Sequence, residues 1–502
     1  MNAHKLELQL GALLKRFNFE YIYANDFLRI VKPTEENLEK YMPYLGIPKT
    51  WRLVLLISKF IPKIAYESIR SLTISLIRHN QSMLPNLQLT GDLNAVFISH
   101  FTDMPMNPRL DPYYGEIPTY LQKQGGKISI LYLNHTQRKT NRVNQQLAGV
   151  GLESVVVIPK SLPFHIQIRV TYQLLIQSFK ILNSALFSRE LSLQERFLLV
   201  GAAIFQVHRS TLSNVNFTFQ VIDWIKKVSP RNIVITFEGH AFEILAVREI
   251  EKKFPNTKIF LYQHAPVIPD QFGLIRTLQE IGTEVRIFTT GEVTRFFFEN
   301  HSRHKELSIE ILGSPKFLSK NFLREISTSD VSYQKTCLIA PEGTLRTTSK
   351  LLELAVQLSS LVPDFDFIFR LHPALQHSSR LKQLLQVDFP SNLTFSGESL
   401  RQDLRNSGYC IYRSSAVPIE GLFFGVRPIH FSSQDEVDLD PLSLTHLGNE
   451  SFGHLDSFVS YFSFVRKSSF ASIKPIESSL FEEYEQYLSP LNLELADLHL
   501  LI

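Results

Sequence analysis

The strongest constraint on this chain is residues 337–428, where short apolar runs and helix-period segments take turns. Cys337-Leu-Ile-Ala340 ends in the turn Pro341-Glu342-Gly343, and a helix-period segment covers 346–361. A second run, Phe365-Asp-Phe-Ile-Phe-Arg-Leu371, ends in His372-Pro373. A third, Tyr409-Cys-Ile-Tyr412, ends in Arg413-Ser414-Ser415; a helix with Glu420 and the closing Gly425-Val-Arg-Pro428 follow. Strands alternating with helices predict a parallel sheet, and such sheets bind ligands at the carboxyl ends of their strands. The polar groups Glu342, His372 and Ser414-Ser415 all fall at such ends.

The alternation also occurs earlier. Short strands are expected at 95–99, 128–133, 154–158, 232–237, 258–262, 285–289 and 309–312, with helices between them. Residues 163–228 read as mostly helical with a break near Ser188. Residues 1–88 read as a helical N-terminal extension punctuated by Pro33, Pro43, Pro48 and Pro62, with a linker at 81–86. The expected organisation is that extension, a Rossmann-like unit at 89–318, a link at 319–334, a second Rossmann-like unit at 335–440, and a tail at 441–502 with a helix at 479–488. A chain of 502 residues exceeds what one core supports, so several domains are expected. Two α/β units joined by a link face each other across a cleft, a common ligand position. No Gly-x-Gly-x-x-Gly and no Walker sequence is present, so classical dinucleotide and P-loop sites lack support.

The net charge of +4 and pI near 8.8 suit an anionic small ligand or an anionic membrane surface. They give no support for nucleic acid, and no aromatic-basic motif for it is present. The two cysteines, Cys337 and Cys410, fall inside expected strands and read as reduced, buried thiols of a cytosolic protein, with no zinc spacing. The first ten residues carry no signal-peptide core, and no window reaches the roughly 18 apolar residues of a membrane span. Residues 51–78 are amphipathic, interrupted by Lys59, Pro62, Lys63, Glu67 and Arg70. They fit a packed helix pair or a helix lying on a membrane surface.

Each strand-end residue has two readings. His372 before Pro373 can donate to a phosphate oxygen, or be a loop histidine. Ser414 and Ser415 can cap the next helix, and the same free N–H groups and hydroxyls bind phosphate, with Arg413 adding charge. Glu420 can bond a sugar or ribose hydroxyl, or serve as an acid in the first turns of a helix. Glu238-Gly239-His240 follows the 232–237 strand, with Glu243 in the next helix. Glu238 is a candidate general base, with His240 as alternative, or an acid capping the helix. His264, after Tyr262-Gln263, is another strand-end candidate. Asp111-Pro-Tyr113 in the loop after the first strand can position an acceptor or form a turn.

The order Glu238-Gly239, His372-Pro373, Ser414-Ser415 resembles that of GT-B glycosyltransferases. The resemblance is to bacterial surface-polysaccharide enzymes of capsule and sialyltransferase-like type, which use CMP-activated sugars. Their first motif is acidic-acidic-Gly, and its first acidic position is Phe237 here. The resemblance covers residues 94–432. It implies a GT-B-like α/β fold with Glu238 as base, with His372 and the serines holding the nucleotide phosphate, and no metal or further cofactor. It further implies a nucleotide-sugar donor and a glycan or lipid-linked acceptor, in a cytoplasmic enzyme peripheral to the inner membrane face. The alternatives on the same fold are a sugar-nucleotide 2-epimerase, a polyol-phosphate transferase with a CDP-linked donor, and a non-catalytic glycan-assembly protein.

Overall fold

The computed structural model describes residues 3–17, 21–29, 38–45, 50–77, 93–101, 110–135, 140, 143–144, 154–159, 161–319, 335–375, 385, 388–432, 439–445, 450–467 and 478–501. The linker expected at 81–86, and all but residue 319 of the link expected at 319–334, lie outside them.

The N-terminal part holds helices α1 (Ala3–Lys15), α2 (Met42–Leu45) and α3 (Thr50–Ile77), with short 3-10 turns at Ile22–Ala24 and Asp26–Leu28. The first α/β unit then runs β1 (Ala95–Phe101), α4 (Ile117–Lys123), β2 (Ile128–Asn134), β3 (Ser154–Ile158), α5 (Phe164–Phe187), α6 (Leu193–Phe205), α7 (Arg209–Val228) and β4 (Asn232–Thr236). It continues through α8 (Ala241–Lys253), β5 (Lys258–Tyr262), α9 (Phe272–Glu280), β6 (Val285–Thr289), α10 (Glu292–His301) and β7 (Ser308–Ile311). The second unit has β8 (Thr336–Ala340), α11 (Leu345–Leu361), β9 (Asp366–Phe369), β10 (Leu393–Phe395), α12 (Leu400–Arg405), β11 (Tyr409–Tyr412), α13 (Val417–Phe423) and β12 (Arg427–Phe431). After it come β13 (Glu450–Phe452), α14 (Leu455–Lys467), α15 (Ser478–Tyr487) and α16 (Leu493–Leu500).

Both sheets are parallel. The first has the order β3-β2-β1-β4-β5-β6-β7 and the second β10-β9-β8-β11-β12-β13. In each, the chain builds outward in one direction and then returns to the other side of its first strand. The reversal falls between β1 and β4 in the first sheet, and between β8 and β11 in the second. At such a reversal the connections leave in opposite directions and open a crevice beyond the strand ends. Parallel strands buried on both faces read as near-continuous apolar runs. This is why Ala95–Phe101 and Tyr409–Tyr412 stood out in the sequence.

Two strands, β10 and β13, were not expected; three residues each are too short for a periodic signal. The tail divides between the units: β13 pairs with β12, while Ala496 and Leu500 of α16 pack with Phe97 and Leu121 under the first sheet. The side-chain amides of Asn94 and Asn232 donate to the carbonyls of Leu501 and Leu500. A further apolar cluster joins Val293 and Leu318 to Ile419, Phe423, Tyr484 and Tyr487, knitting the two units together.

Residues 50–77 form one helix, where the sequence left open a packed pair or a single surface helix. Pro62 removes one backbone donor but is exposed, as is Ser58 four residues earlier, so the freed carbonyl can meet water. The helical N-terminal part is anchored to the first unit by buried ion pairs. Arg29 bridges Glu280 at 3.1 Å and donates to Thr277 Oγ1 at 2.7 Å, and Arg276 pairs with Glu7. Cys337 and Cys410 are free thiols buried in adjacent strands.

Candidate active site

The reversal point of the first sheet collects an acid and four histidines. The parallel register sets Ile98 beside Ile235, so the ends of β1 and β4 lie side by side. Past β4, the chain turns through Glu238-Gly239-His240 into α8. Glu243 holds this turn: its buried carboxylate accepts the backbone N–H of Glu238, Gly239 (2.7 Å) and His240 (2.8 Å). Burial raises its pKa to about 7, against the charge of His240. Because Glu243 occupies those donors, Glu238 is spared the capping role that the sequence left open.

Glu238 Oε1 lies 2.9 Å from His264 Nε2, at the end of β5, and Oε2 lies 3.7 Å from His240 Nε2. The Tyr113 ring meets His264 edge-on, with centroids 4.6 Å apart. Burial, with Glu238 nearby, pushes the Tyr113 hydroxyl up to about 12 and keeps it protonated. His264 Nδ1 is buried and has no hydrogen-bond partner among the described residues. With the proton on Nε2, facing Glu238, Nδ1 is left as an acceptor.

Two more histidines complete the group. His100, near the end of β1, sits 2.8 Å from His135 Nε2 through Nδ1 and 2.9 Å from Thr236 Oγ1 through Nε2. Burial and then His135 hold the His100 pKa well below its usual value, so its ring is neutral. A cavity of about 510 Å³ opens over these groups, lined by His100, Tyr113, His135, Glu238 and His240. Its other wall comes from α7, with Ser210, Ser213 and Asn214, and from Asp26 of the N-terminal part. Asn214 Nδ2 donates to Asp26 Oδ1 at 2.9 Å.

The sequence did not single out His100, His135, Asp26, Ser210 or Asn214. His100 and His135 carry the same strand-end signal as His264 and were legible by that rule. Asp26 and the α7 residues had no such signal, because only long-range packing brings them to the strand ends.

Asp111 lies beneath the pocket. Its buried carboxylate accepts the Ser99 hydroxyl and the N–H groups of Tyr113 and Tyr114, each at 2.8 Å. It thereby fixes the loop that presents Tyr113. Gly239 admits a close approach of the chain itself: at φ +84°, an added Cβ would sit 2.4 Å from the Gly273 carbonyl carbon and the Leu274 nitrogen.

At the reversal point of the second sheet, β8, β9 and β11 bring Glu342, His372, Arg413, Ser414 and Ser415 to neighbouring strand mouths. Arg413 is buried, donating to Glu342 Oε1 at 2.9 Å and to Thr347 Oγ1 at 3.0 Å. Its charge is therefore shared with Glu342, whose second oxygen is buried without a hydrogen-bond partner among the described residues. Ser415 Oγ accepts the N–H of Val417, the first residue of α13, at 3.3 Å. Ser414 and Glu420 are half-buried at either end of that turn. His372 packs against Gly343, where a Cβ would lie 2.8 Å from Nδ1, and burial lowers its pKa. Pro373 opens a short 3-10 turn.

The chain is thus an α/β protein of two parallel sheets with a helical N-terminal segment, and polar clusters gather at both reversal points. No family model and no curated protein matches it. Among solved structures it is similar to the glycotransferase of kitacinnamycin, at 12% identity over 81% of this chain and 98% of that one, with TM-score 0.45. It is also similar to UDP-GlcNAc 2-epimerase from Neisseria meningitidis bound to UDP-GlcNAc (12% identity, 80% and 97% covered, TM-score 0.44). A third is MurG from Acinetobacter baumannii (10% identity, 80% and 98% covered, TM-score 0.42). At TM-scores below 0.5 these likenesses carry no argument about the reaction. Among the described residues no helix is long and apolar enough to cross a membrane.

Proposed function

We propose that this chain is a glycosyltransferase of GT-B type, moving a sugar from a nucleotide-activated donor to a surface glycan such as capsule or lipopolysaccharide. A CMP-linked donor and a metal-independent reaction follow from the sequence resemblance. The observation that carries the reading is Glu238. It stands between His264 and His240 at a strand mouth, on a pocket large enough for part of a glycan acceptor.

In this mechanism an acceptor hydroxyl donates to Glu238, which His264 holds in place, with Tyr113 orienting the sugar. As the hydroxyl oxygen attacks the anomeric carbon, its proton passes to Glu238. The bond from that carbon to the donor phosphate breaks, and the nucleotide leaves with the electron pair. His372, Ser414 and the N–H groups near Ser415 hold the departing phosphate. Glu342 orients Arg413 on this side of the site. The acceptor is lipid-linked, and the enzyme works at the inner face of the cell membrane.

The test starts with a thermal-shift screen of CMP, CDP, UDP, GDP and TDP, since a ligand of the folded state raises the midpoint by mass action. Nucleotide sugars carrying the base so identified are then incubated with and without glycan acceptors. Transfer only when acceptor is present supports the proposal. Conversion of the donor alone to its C2 epimer makes the chain an epimerase. Transfer of a polyol phosphate makes it a polyol-phosphate transferase. No nucleotide binding and no turnover leave a non-catalytic assembly protein.

A further inference from the structure

Two helices on the outside of the first unit carry matching apolar stripes. On α3 the exposed positions include Val54, Leu55, Ile61, Tyr66, Ile69 and Leu76, spaced along one side. On α5 they are Ile168, Tyr172, Ile176, Phe179 and Phe187, again at helical spacing. Ile69 is 65% exposed and Tyr172 63%, so neither belongs to a packed interior. The helices lie against each other: Phe60 of α3 and Phe179 of α5 meet edge-on with centroids 5.5 Å apart. Phe179 belongs to the α5 stripe, so that stripe runs beside α3 and the two apolar surfaces adjoin.

The charges on this face have one sign. Helix α3 carries Arg52, Lys59, Lys63 and Arg70 with a single acid, and α5 carries Arg169 and Lys180 with none. The single acid, Glu67, is buried and lies 3.6 Å from Arg70 and 4.0 Å from His208. The next carboxylates along the chain, Glu190 and Glu195, come after α5, where Glu190 pairs with Arg16 and Glu195 with the Ser192 hydroxyl. A face with exposed aliphatic and aromatic side chains among cations alone matches the boundary of an anionic bilayer. A self-association face of this charge would set cations against cations.

We infer that the α3–α5 face docks on an anionic lipid surface. It goes beyond the amphipathic reading of residues 51–78, because half of the platform comes from α5, about a hundred residues later. The platform also connects to the pocket. Glu67 of α3 faces His208, His208 Nδ1 is 2.9 Å from Ser210 Oγ, and Ser210 lines the pocket. Taking the pocket as the acceptor site, which rests on the proposed function, docking brings its rim to the bilayer and favours an acceptor carried by a lipid.

The docking itself is tested on the full chain by flotation with vesicles of phosphatidylcholine, alone or mixed with phosphatidylglycerol. Binding to the anionic vesicles at low salt, weakening as salt shortens the screening length, is expected. Lys59→Gln with Lys63→Gln should weaken it about fivefold per cation removed. Ile69→Glu with Tyr172→Glu should abolish it, while Phe296→Ser, exposed elsewhere, should leave it unchanged. All these side chains are exposed, and circular dichroism checks that each variant is folded. Equal binding to neutral and anionic vesicles, unimpaired binding by the glutamate variant, or no binding overturns the inference. A solution dimer that the glutamate variant dissociates also overturns it, since a second copy then covers the face. Nucleotide thermal shifts are read without vesicles, so failure of docking and failure of the transferase reading are separately visible.

Discussion

Glu238 Oε1 and His264 Nε2 lie 2.9 Å apart although their residues end different strands, β4 and β5. Neighbouring parallel strands bring both ends to the same edge of the sheet. His264 Nδ1 is left without a partner among the described residues. The carboxylate is thus oriented from one side, with the pocket on the other.

Glu238→Gln keeps shape and removes basicity. Turnover should fall on the order of 10²-fold or more, the usual contribution of acid–base catalysis, with nucleotide affinity nearly unchanged. His264→Ala should also lower turnover, by freeing Glu238 to rotate. Steady-state rates and calorimetric nucleotide binding on the same samples separate the two effects. Normal turnover in Glu238→Gln alongside collapse in His240→Ala or His264→Ala would move the base to a histidine.

The nucleotide side is probed by Ser414→Ala with Ser415→Ala, by His372→Ala and by Glu342→Gln. Each should weaken nucleotide binding by about 1–3 kcal/mol, the scale of a hydrogen bond to a charged group. Ser415 Oγ also accepts the Val417 N–H at the start of α13, so the serine pair should lose about 1 kcal/mol of stability as well. Urea unfolding measures that loss and calorimetry the affinity. Unchanged affinity in folded variants would remove these residues from the donor site.

Gly239→Ala should destabilise the chain by more than about 1 kcal/mol, because its φ of +84° is strained for alanine and the new Cβ meets the Gly273–Leu274 backbone. It should also displace Glu238 and lower turnover. A urea midpoint equal to wild type would show that α9 retreats freely from α8.

His100 supplies a pH dependence. Its folded pKa is depressed, first by burial and then by His135, from the ordinary 6.5. Above 6.5 both folded and unfolded chains hold it neutral, and its full contribution to stability is present. As pH falls below 6.5 the unfolded chain takes up the proton first, so stability is lost until the folded pKa is passed. A single group contributes at most ~1.4 kcal/mol per pH unit. Thermal midpoints measured from pH 8 downward should fall below 6.5, and His100→Gln should flatten that part of the curve. An identical slope in the variant would assign the effect to other groups.

The sequence by itself determined the alternation of strand and helix and the ends of most strands. Apolar runs such as Cys337-Leu-Ile-Ala340 can lie only inside a sheet covered on both faces, and the residues after them must then sit at its edge. Glu238, His264, His372 and Ser414-Ser415 were found in that way, and His100 and His135 were within reach of the same rule. Tertiary structure decided which strand ends are neighbours. Strand order depends on packing between segments far apart in sequence, and no local pattern encodes that β1 lies beside β4 or β8 beside β11. The same packing brought Asp26 to the pocket wall, gave the capping task to Glu243, tied Arg413 to Glu342, and returned α16 to the first sheet. It also laid α5 against α3, bringing the unremarked α5 stripe beside the amphipathic segment that the sequence had shown.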